Sequence, residues 1–106
     1  MRYYLYILAS RHHRHLSLGV TSDLKRGITN HRLLVNRRLR KKRVMQKLVY
    51  IESMHSVDDA VEREYVLKRS SRLTLERLIG VVNPGWDTIS VSDLIAAGYD
   101  KEQREG

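Results

Sequence analysis

A chain of 106 residues is sized for one domain, and at this length roughly two-thirds of the unfolded surface is buried on folding. The absence of cysteine excludes disulfides and thiolate zinc sites, and no apolar run is long enough to cross a membrane. Met1-Arg2-Tyr3 begins no signal peptide, so a cytoplasmic protein without a membrane partner is expected. The net charge of +8 is unevenly placed: residues 1–50 hold 13 Lys/Arg against one acid, Asp23, and residues 51–106 hold 7 against 11. Between positions 32 and 47 stand Arg32, Arg37, Arg38, Arg40, Lys41, Lys42, Arg43 and Lys47. That density suits a polyanion, because each phosphate neutralised releases condensed counterions. The plainer reading of the same run is a solvated loop that keeps the protein soluble.

Along the chain, residues 3–9 are rich in Tyr, Leu and Ile and read as a strand. His12, His13, Arg14 and His15 form a polar turn, and Leu16 to Val20 returns as the second strand of a hairpin. Thr21, Ser22 and Asp23 mark a helix start. The helix carries Leu24, Ile28 and His31 or Arg32 along one face and fades within Leu33 to Asn36. Lys47 to Glu52 is a third strand by composition. Ser56 to Asp59 is an S-x-x-D start, so a second helix is predicted from Val57 to about Ser70, with Val57, Ala60, Val61 and Leu67 as its apolar stripe. A third helix spans Leu73 to Val82 and stops before Pro84. Ser92 to Ala97 forms a short helix closed by Gly98, and Tyr99 to Gly106 reads as a frayed tail.

The order β-β-α-β-α-α predicts an α+β fold, a three-stranded, largely antiparallel sheet packed with helices. It is expected to occupy residues 1–90, with 91–106 as a short C-terminal helix and tail. Glu64 stands out without further information. It lies four residues after Ala60 and three before Leu67, on the apolar stripe, where a carboxylate must be paired, hydrogen-bonded or metal-bound. An ion pair with a basic residue of the first helix is the plain explanation; a divalent cation is the chemical one.

Five segments, taken in order, carry a resemblance. They are YLYIL at 4–8, HLSLGVTSDLKRGITNH at 15–31, LVYIES at 48–53, A-x-x-R-E-x-x-x-K from Ala60 through Arg63 and Glu64 to Lys68, and NPGW at 83–86. Together they resemble the small stand-alone members of the GIY-YIG endonuclease family, over about residues 3–87. The resemblance implies the fold read above and a metal-dependent phosphodiester cleavage. It implies that Glu64 holds Mg²⁺ (or Mn²⁺), that the Tyr6 hydroxyl lies near the attacking water or the phosphate, and that His31 bonds a water, a phosphate or a tyrosine.

Two positions depart from the pattern. Ser17 stands where the second motif has its tyrosine, and Gly27 stands where the arginine that stabilises developing charge is expected. Tyr4, His15 and His31 are candidates to replace the tyrosine. Arg26 is the candidate cation, but one helical residue turns a side chain by roughly 100°. His12, His13 and His15 lack zinc-ligand spacing and read as solvated turn residues. Asn83 reads as a helix stop and turn-former, in reach of the glutamate region, and Trp86 as a core plug. The function expected is nucleic-acid binding, DNA before RNA, with cleavage weakened or lost. The alternatives are an active Mg²⁺-dependent endonuclease using Arg26 and His31, and a protein-interaction module whose basic run meets an acidic partner.

Overall fold

A computed structural model of the chain describes residues 1–39 and 45–100, with side chains described to residue 37 and from residue 47. Strand β1 (Tyr3–Ser10) pairs antiparallel with β2 (Leu16–Thr21) on one side and with β3 (Met45–Met54) on the other. The sheet order is therefore β2-β1-β3. The helices are α1 (Leu24–Leu39), α2 (Val57–Lys68), α3 (Arg72–Val82) and α4 (Val91–Ala96). This is the α+β arrangement expected. Among the described residues no helix is long and apolar enough to cross a membrane.

The central strand explains the layering. Every residue of β1 from Tyr4 to Ser10 is buried, because both of its faces are covered. Leu5, Ile7 and Ala9 pack with Val49, Leu67, Leu75 and Ile79 in one core. Tyr4, Tyr6 and Leu8 point the other way, into a second core with Leu24, Ile28 and Leu48. Period-two alternation thus separates two apolar sets rather than an apolar and a polar one.

Local chemistry sets the helix ends. Asp23 accepts a bond from the Arg26 N–H through Oδ1 (3.2 Å), and Thr21 Oγ1 accepts from the Asp23 N–H (3.0 Å), which starts α1 where the sequence placed it. Ser56 caps α2 by accepting from the Asp59 N–H (3.1 Å), as the S-x-x-D spacing predicts. Asn83 ends α3 and clamps the following turn: its Nδ2 donates to the carbonyls of Val49 (3.0 Å) and Asp87 (2.9 Å), not to the glutamate region.

Three expectations are corrected. Helix α1 continues to Leu39 instead of fading within Leu33 to Asn36, so His31 is a mid-helix residue. On α2, Ala60 and Leu67 are buried, but Val57 and Val61 are 49% and 55% exposed, because the sheet meets only the Ala60–Leu67 side. The tail is not frayed at Tyr99 and Asp100. The Tyr99 ring packs on Tyr4 (5.7 Å), the Asp100 N–H donates to the Tyr4 hydroxyl (2.9 Å), and Asp100 Oδ2 accepts from the Leu24 N–H (3.0 Å). Residues 101–106 lie outside the described part.

Asp100 thus satisfies an N–H in the first turn of α1 that has no helical partner. Asp100→Ala should lower stability by about 1–3 kcal/mol, as expected for a buried donor left unpaired. Urea denaturation checks this, with Asp100→Asn retaining part of the loss.

Candidate active site

The hairpin register builds the site. Tyr6 pairs with Gly19, Leu8 with Ser17 and Tyr4 with Thr21, so these six residues share the face that α1 covers. Helix α1 runs back along β2, and its pitch sets the matching contacts. Gly27 lies at Thr21, and His31, one turn on, lies at Gly19. Four helical residues advance about 6 Å and two strand residues nearly 7 Å, so the two elements stay in step.

His31 sits between two hydroxyls. Its Nδ1 is 2.6 Å from the Tyr6 hydroxyl, and its Nε2 is 2.7 Å from Ser17 Oγ. A Cβ at position 19 would lie 2.4 Å from the Tyr6 hydroxyl and 2.7 Å from His31 Nδ1, so glycine is required for the contact to exist. Burial lowers the pKa of His31, with the charge of Lys68 adding to this and that of Glu64 opposing it. Burial, and then the charge of Glu64, pushes the Tyr6 phenol up to about 12. At neutral pH the imidazole is therefore uncharged and the phenol protonated. A neutral imidazole has one donor and one acceptor nitrogen, so the hydrogen bonds run in one sense from Tyr6 through His31 to Ser17, or in the reverse sense.

Glu64 reaches this group from α2. Its side chain is 26% exposed and pairs with Lys68 on its own helix (3.4 Å); among the described residues no ion pair joins it to α1, where the plain explanation placed its partner. The direction of Glu64 is set by its neighbour. Arg63 Nε donates to Glu52 Oε2 (3.0 Å) and Nη2 to Oε1 (2.7 Å), and the Tyr50 hydroxyl also donates to Glu52. Burial raises the Glu52 pKa, but the bonds from Arg63 and Tyr50 outweigh it and hold the carboxyl below its usual range. This fork ties α2 to β3 through Arg63, and the next residue, roughly 100° round the helix, is Glu64.

Ser17, His31 and Lys68 line a cleft of about 520 Å³, walled by Leu16, Leu18, Leu34, Val35, Leu67 and Leu75. The short side chain of Ser17 faces into space that a tyrosine ring would occupy. Gly27 has the opposite character. A Cβ there would lie 2.2 Å from Thr21 Oγ1 and 2.5 Å from Thr21 Cβ, so the threonine already fills the position. Arg26 is exposed and lies about 140° round the helix from His31, five residues on. The structure does not bring it to the Tyr6–His31–Ser17 group.

Of the candidates for the tyrosine's place, Tyr4 is committed to Asp100, and His15 makes its contact to Ser10 Oγ through its backbone N–H. His31 is the group that touches Ser17. In the basic run, Arg32 and Arg37 lie on α1, half-buried and exposed respectively, and Lys47 lies half-buried on β3. For Arg38 only the backbone, within α1, is described; Arg40, Lys41, Lys42 and Arg43 lie outside the described residues.

The pattern of the GIY-YIG catalytic domain matches residues 2–77. The chain belongs to the GIY-YIG family. This is a family of generally metal-dependent nucleases that act on nucleic acid. Among solved structures, the chain is similar to the UPF0213 protein BH0048 of Bacillus halodurans, solved by NMR in solution. The identity is 26%, over 81% of this chain and 90% of that one, with a TM-score of 0.52. Among curated proteins none matches.

Sequence reasoning missed Lys68 and Thr21 as members of this candidate site. The signal for Lys68 was present, a Glu followed by Lys at i+4. The signal for Thr21 was the turn length, since a loop of residues 11–15 places Thr21 beside Tyr4 and on the α1 face.

Gly27→Ala should destabilise the protein although alanine gains about 1 kcal/mol of helix propensity, because a 2.2 Å approach puts the overpacking cost at the upper end of about 1–3 kcal/mol. Thr21→Gly in the same chain should recover much of that loss in thermal denaturation. His31 should titrate below 6.5 by imidazole NMR, and Lys68→Ala should raise its pKa by removing a cation. Since the folded pKa is depressed, the stability tied to neutral His31 is complete above about 6.5. It is lost as pH falls from there through the folded value.

Proposed function

We propose that the protein is a nucleic-acid-binding GIY-YIG domain, descended from a metal-dependent endonuclease, in which cleavage is weakened or lost. The observation that carries this reading is the pair of substitutions at Ser17 and Gly27, with Thr21 packed into the space an arginine at 27 would need. Cleavage requires a base for the water and a cation for the developing charge. The tyrosine's place holds a serine bonded to a neutral histidine whose two nitrogens are both engaged. Losing a general base costs about 10²–10⁴ in rate, and a lost charge stabiliser costs a comparable factor.

The donor chemistry at Glu64 fits a divalent cation of the magnesium type, which takes one carboxylate and keeps several waters. Glu64 would hold it, with Lys68 giving up its ion pair, and the ion would supply charge neutralisation at the scissile phosphate. Tyr6 and His31 would orient a phosphate oxygen or a water through the hydroxyl that their hydrogen-bond sense leaves free. The nucleic acid would be DNA before RNA, held in part by Arg32, Arg37, Lys47 and the basic residues 38–43. Residues 1–90 would carry this activity, with 91–100 bracing α1.

The test uses labelled single- and double-stranded DNA and RNA with Mg²⁺ or Mn²⁺, beside Glu64→Ala. Binding without cleavage in both proteins is expected. Cleavage that vanishes in Glu64→Ala would overturn the inactive reading and favour a rearranged endonuclease. Ser17→Tyr with Gly27→Arg and Thr21→Gly should raise cleavage above the wild-type level, since it restores both groups and makes room for the second.

A further inference from the structure

The β1–β2 turn lies outside the site just described, and three other parts of the chain converge on it. Ala9 pairs with Lys47, so the start of β3 runs beside the turn. The Arg72 guanidinium, at the first residue of α3, donates to the carbonyls of His13 and Arg14. The His13 ring packs on Trp86 (centroids 4.8 Å apart), the Arg72 guanidinium lies 5.8 Å from the Trp86 ring centroid, and Lys47 Nζ is 3.1 Å from His13 Nε2.

Two features separate this cluster from ordinary turn packing. His13 and Trp86 both have left-handed backbone, with φ of 61° and 52°, a conformation that costs a residue with a side chain roughly 1–2 kcal/mol. The two strained residues are the two that stack on each other, so the turn is held in one shape at a cost. The charges acting on the His13 ring are also of one sign. Burial lowers the His13 pKa first, followed by the charges of Lys47, Arg72 and His12, with no acid among the causes. Neutral His13 can accept from the Lys47 ammonium, which leaves Lys47 further N–H donors. Of the acids nearby in sequence, Glu76 is paired with Arg72 (3.0 Å), and Asp87 follows Trp86 in the turn clamped by Asn83.

The turn presents Arg11, His12 and Arg14 to solvent. It also adjoins the site. His15 is two strand residues from Ser17, less than 7 Å, and Arg72 is one helical turn from Leu75, which lines the cleft.

We propose that this braced turn is a docking surface for the nucleic-acid backbone, in which Arg11, Arg14 and Lys47 bind successive phosphates of a strand that leads into the Ser17–His31 cleft. The inference rests on the nucleic-acid reading above. The partner is a phosphodiester chain rather than an acidic protein, since the cations are spread along a fixed turn that continues into a site of phosphodiester chemistry.

Affinity for a labelled DNA oligonucleotide, measured by fluorescence anisotropy across a salt series, tests it. Arg11→Ala/Arg14→Ala should weaken binding by about ten-fold or more at 0.1 M salt and make the log–log salt slope shallower by about 1–2. Lys25→Ala/Arg69→Ala removes the same charge elsewhere and should change affinity by much less. His13→Gly relieves the backbone strain but removes the stack; it should leave thermal stability near wild type and still weaken binding. Wild-type binding with an unchanged Arg11/Arg14 variant overturns the surface alone. A wild-type protein that binds no oligonucleotide overturns both this inference and the nucleic-acid reading. An equal loss of affinity for polyglutamate shows a generic polyanion surface and overturns the assignment.

Discussion

The central strand is covered on both faces, and its two α1-facing tyrosines carry hydroxyls into space that is nearly closed to water. A buried hydroxyl without a partner is costly, so each must be met by another part of the chain. Tyr4 is met by Asp100 and Tyr6 by His31. The first contact draws the C-terminal segment onto the start of α1, and the second fixes the rotation of α1 against β2. The positions of α1, of the cleft and of the residues through Asp100 all follow from satisfying these two groups.

The same constraint explains the pattern of small residues. Helix α1 lies so near β2 that one partner in each contact must be small: Gly19 beneath His31, Gly27 against Thr21. At Ser17 a small residue meets only the edge of His31, and the two line the cleft together. Ser17 and Gly27 therefore have unlike surroundings. The serine leaves room and gains a bond to His31, while the glycine's space has been taken by a threonine. A larger residue at 27 requires a second change, at Thr21.

Charge is arranged in a comparable way. Glu64 pairs with Lys68 on its own helix, and its direction depends on an ion pair one residue away, where Arg63 is held by Glu52 and Tyr50. A half-buried fork of this kind contributes orientation, since the desolvation of both partners offsets much of the attraction. At the β1–β2 turn the strained His13–Trp86 pair holds the cationic residues in a similar manner.

Much of this was legible in the chain. The apolar run of β1, the Asp23 and Ser56 caps, Pro84 and the element order determine the fold, because periodicity and capping are local. The five ordered segments determine the family and point to Tyr6, His31 and Glu64. The extent of α1 was not legible, since its last turns carry a polar, basic sequence whose packing is tertiary. Nor was the exposure of Val57 and Val61, because the period of a helix does not say how wide a face its neighbours cover. The mutual contacts of Tyr6, His31 and Ser17, and the filling of the space beside Gly27 by Thr21, were decided only by the tertiary structure. Both depend on how closely α1 approaches β2, a distance set by two glycines whose role appears only when the register and the pitch are placed side by side.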